Sequence, residues 1–208
     1  MLKIWGRTNS SNVMKVLWLC EELGEPFERL DWGGQFGGND DAKYRAMNPN
    51  GRVPTVEDAG NIIWESNTIL RYLCTTRGNG RLYPTEPGRR TLVERWMDWQ
   101  LANSGGAMTD LFFGLVRTAP EKRDAAKIAA ALKESGQIWA IVERHLAQTG
   151  APYLAGADFT LADIPNAIHA RRWFGYAIER PNLPHLKAWH DRVAERAGYK
   201  KYIGVPLS

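Results

Sequence analysis

Apolar residues recur at helical spacing as Val13, Val16, Leu17 and Cys20, and the run stops at Gly24, a residue suited to a helix C-terminus. This pattern predicts a helix over 13–23. Before it, residues 2–7 (LKIWGR) contain Ile and Trp and end at a Thr-Asn-Ser-Ser cluster, which predicts a strand. After it, Phe27, Leu30 and Trp32 alternate imperfectly over 26–32, and a second strand there makes the opening a βαβ unit with a parallel pair. Residues 53–57 (VPTVE) and 61–64 (NIIW) predict two more strands joined by a hairpin turn at Asp58-Ala59-Gly60. Ile69, Leu70, Leu73 and Cys74 form the apolar stripe of a helix from Ser66 to about Thr76. The result is a small β-α-β-(α)-β-β-α domain. Within it, GGQFGGNDD fits neither GxGxxG nor a phosphate loop, and reads as a mobile loop.

Strand patterns end near residue 78. The dense Gly/Pro punctuation of GNGRLYPTEPG marks a linker over 79–88, separating a first domain at 1–78 from an all-helical one at 89–208. Helices are expected over roughly 88–115, 121–147, 161–178 and 184–197. Thr160-Leu-Ala-Asp163 has the form of a capping box, with Phe159 and Ile164 placed as a hydrophobic staple. The fold class is therefore α/β plus all-α.

Composition narrows the function without naming it. Hydrophobic residues at 44% and charged ones at 24% are ordinary for a soluble globular chain of 208 residues. The net charge of +4 comes from 18 Lys/Arg against 13 Asp/Glu beyond residue 80, with 9 against 10 before it. Basic and acidic residues interleave, as on a solvated helical surface rather than a nucleic-acid footprint. No apolar run approaches the roughly 20 residues that span a bilayer, and the start lacks a secretion signal, so a cytoplasmic address and no membrane partner are expected. Cys20 and Cys74 sit on apolar helical stripes with no CxxC or Cys/His ligand spacing, so both read as buried thiols, with no metal site.

The chemistry-bearing stretches are Asn48-Pro-Asn-Gly-Arg-Val-Pro54 and Glu65-Ser66. Proline at position 54 suits the first residue of a strand, and a cis Val53-Pro54 bond is physically open. In that geometry the Val53 backbone would form an unpaired edge able to hold an extended peptide. A serine and backbone N–H groups at a helix start bind a carboxylate, and Glu65 can pair with an amine. Amine plus carboxylate describes the α-amino-acid end of a ligand. An ordinary N-cap explains Glu65-Ser66 equally well when that pair is seen alone.

The order of the pieces resembles the cytosolic glutathione transferases: a strand, a Ser-Ser-Asn helix start, "NPNGRVP", "WESNTILRYL", a linker, helices and "FTLAD". The resemblance runs through the whole chain. It implies an N-terminal thioredoxin-like domain, a C-terminal helical domain with the acceptor-substrate site, glutathione as co-substrate, an electrophilic small-molecule partner and a homodimer. Val53 beside Pro54 would pair with the cysteinyl part of glutathione. Glu65 and Ser66 would hold its γ-glutamyl end, with Arg52, and more loosely Gln35, at the glycyl end. The sulfur's neighbour in such proteins lies at the start of the first helix, which here offers Ser10, Ser11 and Asn12. Aligning Lys15-Val16 with the serine-type pattern puts Ser10 first, with the other two as rivals. For the acceptor pocket the candidates are Phe112, Phe113 and Trp173, from a wider aromatic set that includes Trp96 and Trp99. Isomerisation, peroxide reduction, disulfide exchange and a non-catalytic binding module are the competing uses of such a fold. The absence of a cysteine after Ser10-Ser11 argues against the isomerase variant.

Overall fold

β1 (Leu2–Trp5) is the pivot of a four-stranded mixed sheet. It pairs in parallel with β2 (Phe27–Leu30) and antiparallel with β3 (Thr55–Asp58), which pairs antiparallel with β4 (Asn61–Trp64), giving the order β2-β1-β3-β4. This computed structural model describes residues 1–205. Leu2 and Ile4 are buried while Lys3 and Trp5 are half-buried, the period of two expected of a strand with one covered face. At the β3–β4 hairpin, Ala59 (φ 49°) and Gly60 (φ 84°) both adopt the left-handed conformation that a two-residue type I′ turn needs.

Two helices complete the core of this unit. α1 (Ser11–Leu23) packs on α3 (Ser66–Thr76), and a short α2 (Ala42–Met47) precedes β3. Ile4, Val16, Leu17, Val56, Ile69, Leu70 and Leu73 are all fully or almost fully buried. Each such side chain stabilises the fold by about 1.5–3 kcal/mol relative to exposure. α1 ends as its pattern predicts, with Gly24 left-handed at φ 64° and the Glu25 N–H bonded to the Cys20 carbonyl. Its start is earlier than the apolar spacing suggests, at Ser11 rather than Val13, because polar first-turn residues carry no hydrophobic signal. The GGQFGGNDD segment holds a single 3₁₀ turn, Gly34–Phe36.

The unit is not contiguous in sequence. It comprises Met1–Gly80 together with Ala197–Ile203, and the second unit runs over Arg81–Arg196. The last helix, α9 (Ala197–Tyr202), was not visible as a separate element in the pattern, and its residues were expected to end the helical domain. Instead it lies on α1, where Gly198 meets Trp18 so closely that a Cβ would be 2.2 Å from Trp18 Cδ1. Tyr199 packs edge-on to the same indole at 5.5 Å between ring centroids.

The second unit is helical: α4 (Pro87–Trp99), α5 (Gly105–Phe112), α6 (Ala125–Thr149), α7 (Asp163–Gly175) and α8 (Pro184–Ala194). The single helix expected over 88–115 is interrupted by a π-helical turn at Gln100–Ser104. There Ser104 Oγ donates back to the Gln100 carbonyl (3.1 Å) and lies 2.8 Å from His169 Nδ1, and two glycines follow. At the predicted capping box, Asp163 Oδ2 accepts from the Thr160 N–H at 2.9 Å, while Thr160 Oγ1 accepts from the Ala162 N–H at 3.2 Å. Asp163 Oδ1 also accepts from the Leu154 N–H and from Trp189 Nε1, tying α7 to α8.

Candidate functional site

The loop before β3 is built as a rigid support. Asn48 opens a turn in which the Gly51 N–H donates to the Asn48 carbonyl at 2.9 Å. Gly51 (φ 58°) leaves no room for a side chain, since a Cβ would lie 2.7 Å from the Asn39 carbonyl oxygen. Asn48 Nδ2 and the Tyr44 hydroxyl each donate to the Arg52 carbonyl at 2.8 Å, and both also contact Thr55 Oγ1. Two buried side chains thus fix the backbone on either side of Val53-Pro54, whose peptide bond is cis. Tyr44 escaped the sequence reading because it stands in no motif, and Asn48, although it opens the NPNGRVP stretch, was given no role of its own there.

Glu65 lies at the N-cap of α3 with φ 68° and ψ 114°, a conformation rare for a residue with a side chain. Its carboxylate makes no capping bond and is exposed. Such strain concentrates at functional positions and costs about 1–3 kcal/mol. Ser10, the N-cap of α1, likewise makes no side-chain capping bond. Between the two helix starts runs a chain of polar contacts: Lys15 Nζ donates to Ser66 Oγ (3.3 Å) and Asn67 Oδ1 (3.4 Å), and Ser66 Oγ donates to Asn12 Oδ1 (3.2 Å).

These pieces border one cleft of about 90 Å³, lined by Asn12, Asn48, Asn50, Arg52, Val53, Pro54, Glu65 and Ser66. Six of the predicted site residues therefore meet although they lie up to 54 positions apart. Ser10 and Ser11 do not line it: Ser10 is buried, and Ser11 is half-buried at the first position of α1. Gln35 is exposed in the 3₁₀ turn and is also absent from the lining. Beside Ser66 stands Lys15, which the sequence pattern supplied only as an alignment mark and not as a site residue. Its signal was a lysine inside the apolar run Val13-Met-Lys-Val-Leu17, where the structure leaves it 1% exposed.

Away from the cleft, burial pushes the Cys20 and Cys74 thiols up to about 12, so neither is a thiolate at neutral pH. Among the acceptor candidates, Trp173 is fully buried core and Phe112 nearly so, while Phe113 is 55% exposed. A groove of about 420 Å³ in the second unit is lined instead by Trp96, Trp99, Ile141 and their neighbours. Among the described residues, no group of three His, Cys, Asp or Glu side chains is arranged to hold a metal ion, and no helix is long and apolar enough to cross a membrane.

Comparison with known proteins finds matches in both halves of the chain. Residues 1–75 match the family model "Glutathione S-transferase, N-terminal domain", and residues 106–197 match "Glutathione S-transferase, C-terminal domain". The chain is 40% identical over 210 residues to Glutathione S-transferase GstB of Escherichia coli K12, covering 100% of both chains. It is 29% identical to Glutathione S-transferase 3 of Zea mays, covering 99% of this chain and 95% of that one. Among solved structures, the theta class glutathione S-transferase of Xanthomonas axonopodis pv. citri with glutathione bound is 47% identical. That likeness has a TM-score of 0.94 and covers 100% of this chain and 99% of the other.

Proposed function

Because the chain belongs to the glutathione S-transferase family, we propose that it is an enzyme that binds glutathione in the cleft of its first unit, activates it as the thiolate and adds it to an electrophilic carbon of a mainly apolar acceptor. The observation that carries this reading is the meeting of Asn12, Arg52-Val53-Pro54 and Glu65-Ser66 in one cleft. The Val53 backbone pairs with the cysteinyl peptide unit. Glu65 pairs with the γ-glutamyl ammonium, and the start of α3 at Ser66 receives the γ-glutamyl carboxylate. Arg52 faces the glycyl carboxylate.

The sulfur needs a donor, not a base. A free thiol has a pKa of about 8.5, so only a few per cent is nucleophilic at neutral pH. A hydrogen bond to the charged sulfur contributes roughly 1.5–3 kcal/mol, equivalent to about one to two pKa units. The thiol proton leaves to water; the thiolate then forms the C–S bond as the acceptor's leaving group departs or its π electrons take up a proton. Of the three candidates, Asn12 is favoured as that donor because it borders the cleft with Oδ1 already accepting from Ser66. Ser10 and Ser11 are then helix-start residues.

A homodimer is part of this proposal. It is supported by the edge strand β4, where Ile62 and Trp64 stand 39% and 37% exposed, an apolar edge that proteins ordinarily cover. Two buried, unpaired cysteines fit a cytoplasmic site of action, where thiols stay reduced.

Titration with glutathione in a calorimeter and a rate assay with a chlorinated nitrobenzene test the reading: binding and turnover are expected, and the absence of both overturns it. The choice of donor is tested by ultraviolet titration of the bound thiolate. Asn12→Ala should raise the thiol pKa by about one to two units, and Ser10→Ala should leave it in place. The reverse result returns the role to Ser10.

A further inference from the structure

Lys15 is costly where it stands. It is 1% exposed on the inner side of α1, between Met14 and Val16, where an aliphatic residue would pack without desolvating a charge. Its ammonium lies beside the first residues of α3, 3.3 Å from Ser66 Oγ and 3.4 Å from Asn67 Oδ1, at the positive end of that helix's dipole. A cation at a helix N-terminus is disfavoured. An anion in the adjoining cleft would relieve both penalties.

The hydrogen-bond chemistry gives a direction as well. An ammonium has three donors and no acceptor, so Ser66 Oγ must accept from Lys15. Its single hydrogen then goes to Asn12, 3.2 Å away. Asn12 can receive it only through Oδ1, which leaves the amide N–H₂ as the group it offers elsewhere. Among the described residues that N–H₂ has no partner.

We propose that Lys15 is a positioning residue for the glutathione thiolate: its ammonium orders the chain Lys15 to Ser66 to Asn12 so that Asn12 presents N–H to the sulfur, and its charge favours the thiolate over the thiol. The proposal rests on the glutathione-transferase reading. It assigns Lys15 no contact with the substrate. Glutamine at this position would remove the charge and also the direction, because its end both donates and accepts, so that Ser66 could turn and the Asn12 amide could flip.

The test is the pKa of enzyme-bound glutathione, read from thiolate absorbance, together with the pH profile of kcat/KM. Lys15→Gln and Lys15→Met should each raise that pKa by about one unit, reducing kcat/KM roughly tenfold below the wild-type thiol pKa and converging with wild type at alkaline pH. Lys15→Arg should retain most of the wild-type value. Because a buried lysine can matter for folding, Ser66→Ala provides a second measurement that keeps the ammonium in place. Breaking the chain there should raise the thiol pKa, and adding Asn12→Ala should raise it little further. If Ser66 served only as a ligand contact, its loss would raise KM for glutathione and leave the thiol pKa unchanged. A folded Lys15→Gln protein that binds glutathione with the wild-type thiol pKa overturns the proposal, as does an unchanged pKa in Ser66→Ala. Failure of the wild type to bind glutathione at all would instead remove the reading beneath it.

Discussion

Three helices of this protein begin with an N-cap carboxylate that bonds their first N–H groups, whereas the two whose starts lie at the cleft do not. At α2, Asp41 accepts from the Lys43 and Tyr44 N–H groups; at α4, Glu86 accepts from Gly88 and Arg89; at α6, Asp124 accepts from Lys127. At α1 and α3 the N-cap residues are Ser10 and Glu65, and neither side chain makes a capping bond. Both of these helix starts border the cleft, while α5, α7 and α8 of the second unit also begin without an N-cap side-chain bond. A carboxylate folded back on its own helix neutralises the positive end of the dipole. Where that neutralisation is withheld, and a buried lysine is added, the helix start is left to attract an anion from outside. Within the first unit, capping chemistry thus separates α2, capped by its own carboxylate, from α1 and α3, whose starts border the cleft.

The sharpest way to break this contrast is to remove the carboxylate that does not cap. Glu65→Ala should raise KM for glutathione about ten- to a hundredfold, the loss of one charge-assisted bond, while thermal stability changes little, because alanine keeps the Cβ and with it the backbone strain at φ 68°. A steady-state assay and a melting curve decide it, and unchanged KM would count against the pairing with the glutamyl amine. The opposite behaviour is expected at a capping site. Asp124→Ala should cost about 0.5–2 kcal/mol in denaturant unfolding and leave the glutathione KM unaltered. Smaller still is the effect of acid on α4. The backbone N–H of Arg89, then that of Gly88, holds the Glu86 carboxyl below its ordinary value of 4.5. Its contribution is therefore present above that value and is lost as pH falls through the lower folded pKa. Glu86→Gln should flatten the acid limb of stability, measured by urea midpoints from pH 5 downward, and should not alter glutathione binding.

What was legible in the sequence was local. The Asp58-Ala59-Gly60 turn, the stop at Gly24 and the Thr160–Asp163 box are each encoded within a few residues, and each formed where the pattern indicated. "NPNGRVP" and "WESN" pointed to the same cleft because their chemistry was readable before their meeting was. Less legible were features whose cause lies far along the chain. Lys15 gains its meaning from Ser66 and Asn67, and α9 from Trp18, about 180 positions away. The π-helical turn at 100–104 depends on His169. Ranking Ser10 above Asn12 came from an alignment by residue type, which carries no information about which way a helix's first turn is rotated. The aromatic candidates for the acceptor site failed to separate for a related reason: Trp173 and Phe113 look alike in sequence, and only packing makes one of them core.

The return of α9 to α1 has a consequence for how the chain is made. Synthesis runs from residue 1, so the sheet, α1 and α3 can form once the first 80 residues have emerged, yet one face of Trp18 has no cover until residues 197–203 arrive. While residues 81–196 are being added, the unit that holds the cleft presents a bare indole to whatever surrounds the ribosome. A nascent-chain series in which residues 197–203 have or have not emerged should therefore show the first unit gaining protease resistance only once they have. A fragment cut at the linker would carry that open face permanently.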